Sequence, residues 1–222
     1  MICASCHSNE AVTGETRCAR CAPADSFAPF VPPGPPLRSP VGLGRATVVM
    51  LGLAGAVDLV ALWLDLRPPS GRVTAAVGIA QGGLMAATAV VYLRWLWRVR
   101  ANAEVFDASS QSKARWWTIG GWFVPVVNLW FPRRVVLDAW DASAPQGRPA
   151  GHGLVDLWWT LWVAGLVVDR LLRVDSRWGV LAAADAIDLA AAVSAAVVVL
   201  RLSRMQHEKA LGGPLLPSAA LG

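Results

Sequence analysis

Four long apolar runs, separated by polar connections, dominate the sequence after residue 44. Their approximate limits are Arg45–Leu66, Val73–Trp97, Leu154–Leu172 and Val180–Leu200. A bilayer core about 30 Å thick is crossed by about 20 residues of α-helix, because the helix rises about 1.5 Å per residue. The pattern therefore predicts an all-α fold, a multi-pass transmembrane helical bundle over residues 45–204, followed by a C-terminal tail over residues 205–222.

A shorter apolar segment, Trp116–Pro132, lies between the second and third runs and is interrupted by helix-breaking residues. These are Gly120, Gly121, Pro125 and Pro132. A break exposed to lipid would leave backbone groups without hydrogen-bond partners. We therefore expect this segment to be covered by protein or to lie near the membrane interface, as a re-entrant or interfacial hairpin.

Pro132 is suited to the start of a helix, because its missing N–H is not needed in the first turn. The predicted helix ends near Asp141, and Arg134 and Asp138 are expected to pair across one turn. Its pattern of apolar residues is typical of a short interfacial helix lying on the membrane. Asn128 has two interpretations: it caps this helix, which we favour, or it lines a polar opening between helices.

The distribution of lysine and arginine distinguishes two topologies, because cytoplasmic loops carry the excess of positive charge. If the broken segment returns to the side from which it started, the chain has four spans. Thirteen basic residues after residue 22 then face the cytoplasm, against five outside. If the segment crosses, the counts are ten and eight. The larger asymmetry favours four spans with both termini in the cytosol.

Residues 23–44 are predicted to form a proline-rich linker. Its prolines are Pro23, Pro29, Pro32, Pro33, Pro35, Pro36 and Pro40. Proline lacks a backbone N–H and restricts the residue before it, so such a stretch favours extended polyproline II over helix. We interpret the linker as a semi-rigid spacer, in preference to a ligand for an SH3-type domain.

The four cysteines form two C-x2-C pairs near the N-terminus, Cys3 with Cys6 and Cys18 with Cys21. Two such pairs, here separated by eleven residues, are typical of a structural zinc site in which each pair supplies two thiolates. Residues 1–22 are therefore predicted to form a zinc-ribbon-like segment. Its folding should depend on the metal, since so short a segment buries little apolar surface.

Two other uses of these cysteines compete with zinc. Two disulfides would form in an exported chain, and Cys3-x-x-Cys6-His7 matches the pattern of covalent c-type haem attachment. Both require export, whereas the first residues show no basic region followed by an apolar stretch, as a secretory signal would. We therefore favour zinc, with His7 as a solvated neighbour, and place the N-terminus in the reducing cytosol.

Composition supports a protein of the cytoplasmic (plasma) membrane. Hydrophobic residues make up 55% of the chain and charged residues 16%, against about 25% charged residues in soluble proteins. Twelve tryptophans suit membrane interfaces, and the net charge of +5 is explained by cytoplasmic loops facing anionic lipid. Because the cysteine segment lacks the basic, aromatic surface that nucleic acid requires, we expect a protein partner there and no nucleic acid.

Three stretches of the chain carry a family resemblance: Tyr92–Glu104, Gly121–Pro132 and Asp138–Ser143. The middle one contains a W-x2-P-x2-N-x3-P pattern that begins at Trp122 and includes Asn128. From about residue 40 onward, the chain resembles the bacterial membrane family called domain of unknown function 4328. Actinobacterial members often carry a cysteine-rich N-terminus and a proline-rich linker. The family has no established activity, so the resemblance implies a membrane fold and no mechanism.

Four polar residues within the predicted spans are candidates for a site: Asp58, Gln81, Asp185 and Asp188. An aspartate near the bilayer centre costs about 2.5–3.5 kcal/mol on insertion scales, so these acids should face the bundle interior. In the four-span topology, Asp58 and Asp188 lie at a similar depth. One interpretation is a cation or proton site, and the other, which we favour, is an internal hydrogen-bonding network.

No nucleophile–base pair or phosphate-binding glycine loop is visible, and the histidines lie in predicted soluble segments, so we do not expect an enzyme. Gly78 and Gly82 form a G-x-x-x-G pattern that permits close helix approach, which we expect within the bundle in preference to a dimer.

The leading hypothesis is a membrane scaffold or sensor whose cysteine segment contacts a protein. The alternative is a small cation- or proton-coupled transporter or channel that uses the membrane aspartates.

Overall fold

The structure is a computed structural model that describes residues 2–11, 16–18, 20–21, 36–65, 70–145, 151–172 and 178–212. The chain divides into two compact units, residues 1–36 and 37–222. An isolated bridge joins Ile2 and Glu10 in the first unit, and the described residues of the chain contain no β-strand. The all-α prediction is confirmed.

The described residues of the second unit form six α-helices. They are α1 (Val41–Asp65), α2 (Gly71–Phe106), α3 (Trp117–Gly120), α4 (Phe131–Ser143), α5 (Gly153–Leu172) and α6 (Trp178–Leu211). The four predicted apolar runs correspond to α1, α2, α5 and α6. Both α2 and α6 continue well beyond the predicted limits, because their polar last turns pack against other helices. Residues 205–211 of the predicted tail are therefore helical, and residues 213–222 lie outside the described residues.

Helix α1 begins at Val41, inside the predicted linker, so the expectation that residues 41–44 are not helical is wrong. Proline is tolerated at a helix start because the first turn needs no N–H from it. The carbonyl of Pro40 accepts a hydrogen bond of 2.8 Å from the amide of Gly44. Pro40 therefore leads into the helix, and residues 23–35 of the linker lie outside the described residues.

Helices α1 and α2 run in opposite directions. The side chain of Gln81, early in α2, donates a hydrogen bond to Asp58, late in α1. At the other end, a Cβ atom added to Gly44 of α1 would lie 3.4 Å from the indole nitrogen of Trp95, late in α2. The two contacts fix one antiparallel register along the whole helix pair.

Helices α1 and α6 are antiparallel in the same way. A Cβ atom at Gly44 would lie 2.5 Å from the hydroxyl of Ser203, late in α6. A Cβ atom at Gly55 would lie 3.6 Å from a methyl group of Leu189, early in α6. Helix α1 therefore lies beside both α2 and α6.

The hydrophobic core lies at one end of the bundle, where α1 and α5 begin and α2 and α6 end. Its buried members are Trp95, Leu96, Val99, Ala103, Val136, Leu137, Ala139, Trp140, Ala142, Val155, Trp158, Trp159, Ala195, Val198, Val199 and Leu202. Because α2 ends and α5 begins in this one core, residues 107–152 leave and return at the same end of the bundle. We call this region the packed end.

Three helical stretches among the described residues are long and apolar enough to cross a membrane. They are Val41–Val60, Gly71–Phe106 and Ala184–Leu211. The apolar part of α5, Gly153–Val168, is shorter. The count of four spans stays a prediction.

Helix α4 differs from the predicted helix on the membrane surface. Its Arg134–Asp138 pair is confirmed at 3.0 Å. However, nine of its thirteen residues are buried, because α4 packs against α2, α5 and α6 at the packed end. Protein, rather than the membrane surface, encloses most of this helix.

Candidate metal centre and polar sites of the bundle

The four cysteines of the first unit converge. All four Sγ atoms lie within 4.8 Å of one another, and those of Cys6 and Cys18 are 3.7 Å apart. None of the cysteines forms a disulfide. A tetrahedral zinc with Zn–S bonds of about 2.3 Å separates its sulfurs by about 3.8 Å, so the cluster fits four-coordinate metal.

Backbone hydrogen bonds shape the first cysteine pair into a tight turn. The amide of His7 donates to the carbonyl of Cys3 at 3.0 Å, and the amide of Cys3 donates to Asn9 at 2.9 Å. His7 adopts a positive φ of 51°, which turns the chain directly after Cys6. Its side chain is exposed, as expected for a neighbour of the ligands.

The electrostatics of the cluster favour a bound cation. A backbone hydrogen bond from Cys18, together with others from the turn, lowers the pKa of Cys3 to about 6. The sulfurs of Cys6 and Cys18 raise the pKa of Cys21 to about 12. Four thiolates therefore do not coexist here without a positive charge, and a divalent metal would supply that charge.

The membrane acids have different neighbours. The side-chain amide of Gln81 donates to Oδ1 of Asp58 at 2.5 Å, which joins α2 to α1. Asp188 of α6 instead lies against α5, where a Cβ atom at Gly165 would be 2.5 Å from its Oδ1. Asp185 is half-buried one turn earlier. The structure therefore joins Asp58 to Gln81 and directs Asp188 towards a different helix.

The G-x-x-x-G pattern is not used inside the bundle. In the described part of the chain, apart from the adjacent residues and the nearby backbone of α2 itself, no atom lies within 4 Å of a Cβ built on Gly78 or on Gly82. Helix α1 packs instead on the neighbouring face of α2, which carries Gln81 and Thr88. The expectation of close internal packing at these glycines is therefore wrong.

The capping role expected for Asn128 is also wrong. Trp130 is the residue that precedes α4, and no side chain caps this helix. Pro132 does lie in the first turn of α4, as predicted. Asn128 falls instead in a 3₁₀ turn, Val127–Leu129, two residues before the capping position of α4. Its Oδ1 is buried and accepts no hydrogen bond from the described residues.

The turn before α4 is strained. Val126 has φ 70° and ψ −55°, and the amide of Val127 donates to the carbonyl of Pro125 at 2.8 Å, which closes a γ-turn. A branched residue in this conformation costs about 1–3 kcal/mol and persists only where the surroundings impose it. Two further buried polar atoms in this segment, Oγ1 of Thr118 and Nε1 of Trp122, have no partner among the described residues.

Aromatic contacts hold this strained segment in place. The ring of Trp122 meets Tyr92 of α2 edge-on at 5.4 Å and Trp162 of α5 at 5.5 Å. The indole of Trp159 donates to the carbonyl of Leu129 at 3.0 Å. Trp122, which begins the W-x2-P-x2-N-x3-P pattern, therefore joins the broken segment to two long helices.

A buried amide network at the packed end was missed by the sequence-based prediction. Asn102 of α2 donates to the carbonyl of Arg38 at 2.8 Å and to the side chain of Gln206 of α6 at 3.0 Å. Gln206 donates to the carbonyl of Val99 at 2.9 Å and to Ser143 of α4 at 3.2 Å. The network joins the end of the linker to three helices, and its only signal in the sequence is polar residues late in two apolar helices.

A second buried network fixes the loop between α2 and α3. Asp138 of α4 accepts hydrogen bonds from the amide and the hydroxyl of Ser112, at 2.9 and 2.6 Å. Buried Arg100 donates to the side chain of Gln111 and, at 2.6 Å, to the carbonyl of Lys113. Buried charges at this end thus have partners, which makes them structural.

A protein-family model matches residues 70–205, which are 136 of the 222 residues. It is described as Domain of unknown function (DUF4328). The match extends from the start of α2 into the last turns of α6 and includes the broken segment. Comparisons with curated proteins and with solved structures found no match.

Proposed function

The chain belongs to the DUF4328 family, and from its own geometry we propose a non-enzymatic membrane scaffold or sensor with a zinc-binding ribbon in the cytosol. The convergence of four cysteine sulfurs within 4.8 Å, on a unit separate from the bundle, carries this proposal. A small metal-organised unit tethered to membrane helices is suited to contact with a protein near the membrane surface. We further propose zinc as the metal, because four sulfur ligands at this spacing suit it.

The proposed topology has four spans in the plasma membrane and both termini in the cytosol. Its support is the return of residues 107–152 to one end of the bundle, together with the excess of basic residues predicted for that side. Reporter fusions after Gly222 test it. A reporter active only outside the cell would overturn the four-span topology and require a fully crossing segment.

Affinity capture from membranes tests the scaffold role. The full chain, a variant lacking residues 1–22 and a Cys18→Ser/Cys21→Ser variant are compared at equal membrane levels. We expect one set of proteins to be recovered with the full chain and lost with both variants. Equal recovery from all three would contradict a partner-binding role for the cysteine unit.

A transporter that uses the membrane aspartates is the second candidate. It is supported by Asp58, a half-buried acid in an apolar helix whose neighbour Gln81 is neutral. A proton or cation flux in proteoliposomes that Asp58→Asn abolishes would favour this function. The hydrogen bond from Gln81 to Asp58 supports a structural role for this acid, and we expect no such flux.

A further inference from the structure

We propose that three exposed arginines on adjacent helices bind the phosphate groups of anionic phospholipids. They are Arg45 of α1, Arg94 of α2 and Arg201 of α6, and we call them the arginine layer. The proposal rests on the membrane placement proposed above and does not depend on the cysteine unit.

The arginine layer lies at one level of the bundle. Gly44, Trp95 and Ser203 meet at the packed end, with Gly44 as the common contact. Each arginine lies close in sequence to one of these contact residues, on the side nearer the middle of its helix. Arg45 is next to Gly44, Arg94 is next to Trp95, and Arg201 lies two residues before Ser203. Because a helix rises about 1.5 Å per residue, the three arginines lie within about 3 Å of one level.

The charges of the arginine layer are not neutralised by the protein. In the part of the chain that the structure describes, none of the three forms an ion pair or a side-chain hydrogen bond. Other arginines at this end do: Arg133 pairs with Asp156 at 2.6 Å, and Arg204 pairs with Glu208 at 2.7 Å. The layer therefore presents three free guanidinium groups to the surroundings.

An apolar surface begins one helical turn below the layer. Four residues from each arginine, on the side nearer the middle of the bundle, lies an exposed valine. These are Val49, Val90 and Val197, with exposed fractions of 60%, 58% and 39%. Four residues of helix rise about 6 Å, so exposed aliphatic groups lie directly next to the exposed charges. On the outer side, Trp97 is exposed beneath the guanidinium of Arg115, which is 5.9 Å from its ring. This order of aliphatic, charged and aromatic groups matches acyl chains followed by headgroups.

The chemistry of the layer selects phosphate. A guanidinium group donates two parallel hydrogen bonds to phosphate oxygens and retains its charge at all relevant pH values. A zwitterionic headgroup cancels this attraction with its own cation, whereas phosphatidylglycerol does not. The expected occupants are therefore anionic lipids of the leaflet that surrounds the packed end.

Lipid-dependent stability of the full chain tests the proposal. Purified protein in mild detergent is supplemented with phosphatidylglycerol or with phosphatidylcholine, and Tm is measured by tryptophan fluorescence. We expect a larger rise in Tm with phosphatidylglycerol, and we expect Arg45→Gln/Arg201→Gln to lose much of the difference between the two lipids. Adding Arg94→Gln should remove the remainder. Raising salt from 0.1 to 1 M should also weaken the effect, since the Debye length falls from about 10 to about 3 Å.

The matched control is Arg72→Gln/Arg170→Gln, which removes two exposed arginines from the opposite end of the bundle. It should keep the full difference between the two lipids. Tm in phosphatidylcholine verifies that each variant is folded, and an Arg→Lys triple variant, which keeps the charges, should retain a preference for phosphatidylglycerol.

Three results would overturn the proposal. The first is an equal response of the wild type to both lipids, and the second is an equal loss in the control variant. The third is a full response to inorganic phosphate in phosphatidylcholine, which would indicate a site for a soluble anion. Protein that remains in solution without detergent would instead overturn the membrane placement, before any lipid is added.

Discussion

The two halves of the helical bundle follow different physical rules. At the packed end, aliphatic and aromatic side chains fill a core, and buried polar groups such as Asn102 and Asp138 are hydrogen-bonded. In the opposite half, large apolar side chains such as Ile79 and Val73 remain exposed, and the glycines of α2 face open space. The packed end resembles the interior of a soluble protein, whereas the opposite half requires lipid as its solvent.

Truncating one leucine in each half should separate the two regions most clearly. Leu96→Ala at the packed end removes a fully buried side chain and should lower the free energy of unfolding by about 2–5 kcal/mol. Leu59→Ala, the matched change at a half-exposed position late in α1, should alter it by no more than about 0.5 kcal/mol. Denaturant titration in lipid nanodiscs measures both. Equal losses would show that the two halves are packed alike.

The amide network should have the next largest effect. Gln206→Ala removes two buried hydrogen bonds, one with the side chain of Asn102 and one with the carbonyl of Val99, and should cost about 1–3 kcal/mol. The neighbouring, exposed His207→Ala is the control and should change stability by less than about 0.5 kcal/mol. A Gln206 variant as stable as the control would mean that the network does not hold the packed end together.

Changes at Asp58 should have small effects on stability that depend on whether the new side chain can accept the hydrogen bond from Gln81. Asp58→Asn keeps an oxygen for Gln81 and removes a charge from an apolar helix, so stability should stay within about 1 kcal/mol of wild type or rise. Asp58→Leu removes the acceptor and should be the less stable of the two variants. The reverse order would indicate that the charge itself is required.

Removal of metal should have the smallest effect on the bundle. All twelve tryptophans lie after residue 36, so their fluorescence reports on the second unit alone. A chelator should leave the tryptophan-detected Tm unchanged, because the first unit is compact in itself. A clear fall in this Tm would show that the two units stabilise each other.

Zinc binding should also release protons. The pKa of Cys21 is raised to about 12 by the neighbouring sulfurs, so this thiol is protonated at pH 7 in the metal-free protein. Because the ligand is the thiolate, adding zinc should release at least this proton, and acidification should release the metal. A pH indicator in weakly buffered solution measures the release, and the cysteine variant serves as the blank.

The sequence predicts features that depend on local spacing and fails on those that depend on distant contacts. Cys3, Cys6, Cys18 and Cys21 are close in sequence, and their spacing alone indicates a common ligand set. The four apolar runs likewise predict four long helices, because hydrophobicity over about 20 residues is a local property.

The errors concern packing between elements. Hydrogen bonding of Asn102 to Arg38 and Gln206 joins residues 64 and 104 positions apart, and no local pattern encodes such pairs. The roles assigned to Asn128 and to Gly78 failed for a related reason. The spacing of a motif indicates which roles a residue is able to take. The orientation of the whole helix or turn determines which other residues that residue contacts.

Zinc content measures most directly whether the N-terminal unit is organised by metal. Elemental analysis is applied to full-length protein purified in detergent without added metal, and to the Cys18→Ser/Cys21→Ser variant prepared in the same way. We expect one zinc per chain in the first sample and a large loss in the second. Zinc-free wild-type protein, or undiminished zinc in the variant, would contradict the proposed zinc-binding ribbon.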